Sequence, residues 1–160
     1  PAPDPATARY EIDFMSNMID HHHMAIEMSE ICLERAVHHE LRHLCRDIKT
    51  SQSAEIEELQ SWLDDWYGIS HEPEMKPGEE AMLRELEARH GADFEIAFME
   101  SMIEHHRKAI HEADQCVDRA YHDELVDLCE NMIETQSEEI ALMESWLCEW
   151  YSRCSEHDAD

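Results

Sequence analysis

The chain has 160 residues, the length of one domain, with 42% apolar residues and 12 basic against 39 acidic side chains, a net charge of -27. That charge repels phosphate backbones and anionic lipid and attracts cations, which argues against nucleic-acid binding and for metal ions as partners. No stretch is apolar enough over enough residues for membrane insertion, and only 3 Gly and 5 Pro interrupt the chain, so the long stretches between them favour helix over strand.

The sequence opens Pro1-Ala2-Pro3 with no signal-like apolar run, which fits a processed or trimmed form. From residue 10 to 68, apolar side chains recur at spacings of three and four: first Met15, Met18, Ile19 and Ile26, with His22 on the same face, then Leu41, Leu44, Ile48, Ile56, Leu59 and Leu63. This predicts two amphipathic helices. The break falls near His38-His39, where Arg35 suits a helix C-terminus and acidic residues suit a new start. Residues 69–78, with Pro73 and Pro77, read as a linker, and Glu79 to His90 as a short connecting helix ended by Gly91.

Residues 92–152 then repeat the first unit. Shifting the sequence by 84 positions aligns Phe14 through Gly68 with Phe98 through Ser152 without a gap. Phe-Met-x-x-Met-Ile-acid-His-His occurs at Phe14 to His22 and at Phe98 to His106. Gln-Ser-x-Glu-Ile followed by Ser-Trp-Leu-x-x-Trp-Tyr occurs at Gln52 to Tyr67 and at Gln136 to Tyr151. The second break falls near His122-Asp123. Short turns make consecutive helices antiparallel, so residues 1–160 are expected to form a single all-α domain, a four-helix bundle of two tandem hairpins with approximate two-fold symmetry.

Both helices of a hairpin rise ~1.5 Å per residue, so residues equidistant from the turn lie level. Cys32 and Cys45 satisfy this in the first copy, Cys116 and Cys129 in the second. The repeated match favours one disulfide per hairpin and an oxidising compartment, over buried thiols or Cu(I)-thiolate ligation. Cys148 and Cys154 suit a third bridge, with an intermolecular bridge as the rival.

The same ruler sets His22 level with Glu55 and His106 level with Glu139, on otherwise apolar faces. A buried carboxylate costs several kcal/mol unless it is paired, so each glutamate needs a donor or a metal. Two readings stay open: a His–Glu hydrogen bond that fixes helix register, or a metal site fed by both hairpins. His21 and His105 lie at the edge of the core face, and His21 shares a stripe with Met24 and Met28. Thioether with imidazole suits Cu(I) or Ag(I), whereas carboxylate with imidazole suits Cu(II), zinc or iron. Lys108 and Glu112 replace the two methionines in the second copy. His23, His38, His39, His43, His71, His90, His111, His122 and His157 are expected mostly in solvent.

The string Phe14-Met15-x-x-Met18-Ile19-x-His21-His22-x-x-Ala25-Ile26-x-Met28, with Gln52-x-x-Glu55-Ile56 and Trp62-Leu63, resembles the domain-of-unknown-function family 305, and so does the second copy. The resemblance implies a ferritin-like fold and export to the periplasm or outside the cell. It also implies copper binding through Met18, His21, His22 and Met28, and through Met102, His105 and His106. The leading expectation is a non-enzymatic copper buffer or carrier, acting alone, as a homodimer, or with a metal-transfer partner protein. Binding is expected to fade below about pH 6 as His protonates. The alternatives are a ferritin-like di-metal oxidoreductase, whose Glu-x-x-His pattern is missing after Glu55 and Glu139, and a metal-free structural bundle.

Overall fold

Asp4 starts the first helix: its carboxylate accepts hydrogen bonds from the Thr7 backbone N–H at 3.1 Å and the Thr7 hydroxyl at 2.9 Å, and Pro5 fills the first helical position. In the computed structural model, which describes residues 1–154, that helix is α1 (Pro5–Arg35). It is followed by α2 (His39–Tyr67), α3 (Glu79–Glu87), α4 (Gly91–Arg119) and α5 (Asp123–Tyr151). All regular structure among the described residues is helical, and His157 lies outside them.

The hairpin turns fall where the sequence placed them. Ala36 and Ala120 leave α1 and α4 in extended conformation, and His38 and His122 lead into α2 and α5. The ends of α2 and α5 are also duplicates. Gly68 takes φ 64° and Ser152 φ 56°, both left-handed, and in each case the next N–H reaches back six residues, to Leu63 and Leu147. Gly91 differs from expectation. The short helix stops at Glu87, and Gly91 instead opens α4 with φ 58°, a conformation glycine adopts without a Cβ clash where the chain swings into the next long helix.

The antiparallel helices α1 and α4 pack against each other, while α2 and α5 each lie along their own hairpin partner. Two buried apolar clusters result, and each draws on all four long helices. One joins Met24, Met28, Leu41 and Ile48 to Phe94, Phe98, Met99, Met102 and Met143. The other joins Phe14, Met15, Met18, Ile19 and Leu59 to Ala109, Ala113, Leu125 and Met132. Leu86 of α3 caps the first cluster.

All six cysteines are paired. Cys32–Cys45 and Cys116–Cys129 bridge their hairpins with Cα separations of 6.3 and 6.4 Å, and Cys148–Cys154 ties the end of α5 to the chain beyond it. The level-pairing argument therefore selects disulfides over free thiols, and no thiolate remains to ligate copper.

Candidate metal centre

The two His-His motifs meet where α1 crosses α4. The rings of His21 and His105 stack with centroids 3.5 Å apart and planes 6° from parallel, and His21 Nε2–H donates to the His105 backbone oxygen at 2.8 Å. Burial pushes the His21 pKa down to about 4. The hydrogen bond to His105 opposes this shift, and His22, Lys76 and His106 add to it. Burial also holds His105 well below the usual imidazole range, with His21 and His106 reinforcing it. Both rings are therefore neutral at ordinary pH.

Beside them, His22 and His106 are fully buried. Their Nε2–H groups donate to Glu55 Oε1 at 2.6 Å and Glu139 Oε1 at 2.7 Å, so the predicted level pairs meet across each hairpin. A carboxylate can only accept here, so in the neutral tautomer of each ring the proton sits on Nε2 and Nδ1 carries the lone pair. His22 Nδ1, His106 Nδ1 and His105 Nε2 are all buried and have no hydrogen-bond partner. Buried polar atoms are ordinarily satisfied, so three unpartnered ring nitrogens at one helix crossing call for an explanation. Gln52 and Gln136 each add an unpartnered Oε1. Among the described residues no three His, Cys, Asp or Glu side chains converge as a metal-ligating group. Glu55 and Glu139 each accept from one of these imidazoles.

The two halves of the crossing differ in chemistry. A cavity of 290 Å³ opens beside His21, lined by Phe14, Asn17, Met18, Lys76, Lys108, Ala109 and Glu112. In the duplicate half, Met24 and Met28 stand where this cavity has Lys108 and Glu112, and both are buried in the cluster that contains Met99 and Met102. Met18 and Met28, grouped by sequence into one site with His21 and His22, thus fall in different core clusters. A stripe on one helix predicts neighbours along that helix; the α1–α4 crossing instead brings Met28 together with residues of α4.

A second duplicated constellation went unrecognised in the sequence. Glu11 of α1 is fully buried and accepts from the Tyr121 N–H (2.8 Å), the His122 N–H (2.9 Å), His122 Nδ1–H (2.8 Å) and the Tyr67 hydroxyl (2.5 Å). Glu95 of α4 does the same with Val37, His38 and Tyr151. Each copy thereby grips the turn of the other. Burial alone would raise both carboxyl pKa values, but these donors hold Glu11 and Glu95 below the ordinary value. His122 stacks on Trp66 and His38 on Trp150, each with centroids 3.6 Å apart. His38 and His122 are therefore structural, not solvated as expected. His71 is also partnered: its Nε2 pairs with Asp20 Oδ1 at 2.9 Å, which helps seat the linker on α1. The signal was present as an acidic residue at matching places in both copies, with a repeated Trp-Tyr pair.

Comparison with known proteins places this arrangement. The chain is 30% identical to CopM in its Cu(I)-bound form, with a TM-score of 0.79 over 88% of this chain and 97% of that one. For CopM in its Cu(II)-bound form the values are 32% and 0.80, over 88% and 97%. A Streptomyces coelicolor DUF305 protein described as secreted matches at 32% identity and a TM-score of 0.78, over 88% of this chain and 91% of that one. No curated protein matches the chain. The model of the domain of unknown function DUF305 matches residues 11–147, and the chain belongs to that family.

Proposed function

We propose that this chain is an extracytoplasmic, non-enzymatic protein that binds Cu(I), and Ag(I) in its place, for buffering, transport or resistance. The observation that carries the reading is the set of buried, unpartnered ring nitrogens on α1 and α4, helices that also bury the thioethers of Met24, Met28 and Met102. Imidazole and thioether are neutral donors with the softness Cu(I) requires, and neither brings a charge that would need a partner in a dry core. The donors we assign are Met24, Met28, Met102 and His105, with His22 and His106 flanking. Glu55 and Glu139 hold the rings of His22 and His106 in the tautomer that presents Nδ1, the usual arrangement of carboxylate behind a ligating histidine.

Supporting this are solved CopM structures with Cu(I), Cu(II) and Ag bound. Three disulfides and a neighbour described as secreted support placement outside the cytoplasm. The acidic surface gathers cations, while burial keeps water from the donors. Burial holds the pKa of His105 well below the usual imidazole range, so protons compete with the metal for its nitrogen only in more acid solution than for an ordinary histidine. The test is anaerobic Cu(I) titration against a competing chelator, comparing wild type with Met24→Ala plus Met28→Ala. A loss of affinity of tenfold or more is expected; unchanged affinity would remove these thioethers from the site.

A further inference from the structure

At the start of α2, His39 and His43 stand one turn apart and are both exposed, and Asp47 follows one turn later with Oδ2 3.5 Å from His43 Nε2. Side chains four residues apart on a helix lie about 5–6 Å apart at Cβ on one face, close enough for two imidazoles to share one cation. We propose that His39 and His43 form a surface site for a divalent cation, Cu(II) above all, separate from the buried Cu(I) donors.

Three structural features support this. The pair borders a 440 Å³ groove between α2 and α5, lined also by Glu40, Leu44, Leu142 and Trp146, so an ion there has carboxylates beside it and room for coordinated water. The backbone is fixed in advance, because Glu95 accepts from the N–H groups of Val37 and His38 immediately before the pair. The site is also unique to one copy: the duplicate positions carry Asp123, Asp127 and Asn131, with no imidazole. Two imidazoles with water make a borderline set, for which Cu(II) leads the divalent series. Only two nitrogens contribute, so the site exchanges its ion readily.

The test is Cu(II) titration of the oxidised full chain in air, followed by electron paramagnetic resonance and by quenching of Trp146 in the groove. One Cu(II) showing coupling to two nitrogens is expected, with affinity reduced at least tenfold in His39→Ala and in His43→Ala. Asp123→His plus Asp127→His should add a second equivalent with the same spectrum. Equal Cu(II) affinity in wild type and both single variants would overturn the proposal. Cu(I) affinity under the competing chelator stays unchanged in His43→Ala, which separates this site from the buried one.

Discussion

His21 and His105 hold the same position in the two copies, 84 residues apart in sequence, and their rings lie face to face at 3.5 Å. Each residue of α1 near this contact has a repeat partner on α4. Differences between the copies therefore become differences between the two sides of one crossing: Met24 and Met28 on one side, Lys108 and Glu112 on the other.

Glu55→Gln or Glu139→Gln keeps the shape of the orienting side chain but removes its charge. Cu(I) affinity is expected to fall about tenfold, the lower end of what loss of a carboxylate behind a ligating histidine costs. Chelator competition reads this directly. A change in unfolding free energy alone, with affinity intact, would make both pairs purely structural.

Replacing Glu11 with Gln leaves an amide where four donors now converge on a carboxylate. Weakening hydrogen bonds to a buried charge should destabilise the fold by about 2–3 kcal/mol, measured by urea unfolding. Glu95→Gln should match it, because the two clamps are duplicates.

The clamps also set an acid limit. Folded pKa values of Glu11 and Glu95 lie below the ordinary 4.5, so their stabilisation is full above that pH and is lost as pH falls through the depressed values. His21, lowered from 6.5 to about 4, adds stability that is full above pH 6.5 and declines as pH falls toward 4. His105 is shifted in the same direction, so thermal midpoints should decline as pH falls below 6.5 and decline further below 4.5. In Glu11→Gln plus Glu95→Gln the part below 4.5 should flatten.

Cys116→Ser plus Cys129→Ser opens a bridge with a sequence separation of 13. Loop-closure entropy assigns such a bridge ~3 kcal/mol, and equilibrium denaturation should show a loss of that order. Ser152→Gly should act in the opposite sense and stabilise by about 1 kcal/mol, because serine at φ 56° carries a left-handed strain that glycine lacks.

Helix spacing and the duplication at an offset of 84 made the hairpins, their turns and the Cys32–Cys45 and Cys116–Cys129 pairs legible, because each depends on rise per residue along neighbouring helices; Cys148–Cys154 follows no such rule, and sequence left it open between this bridge and an intermolecular one. The His22–Glu55 and His106–Glu139 pairs were legible for the same reason. What lay beyond sequence was the angle at which α1 crosses α4, which decides that Met28 joins Met102 and not Met18. The Glu11 and Glu95 clamps were hidden because their partners, the turns of the opposite copy, lie 110 and 57 residues away in sequence. The end of the connecting helix was missed because Gly91 stops a helix and opens one equally well.

The proposed function makes the side of the His21–His105 contact that holds the buried thioethers the Cu(I) site. The most direct test counts tightly held Cu(I) under an anaerobic chelator in three proteins: wild type, Met24→Lys plus Met28→Glu, and Lys108→Met plus Glu112→Met. The second should lose tight binding and the third should gain an additional equivalent beside Met18 and His21. Equal stoichiometry and affinity in all three would contradict the account.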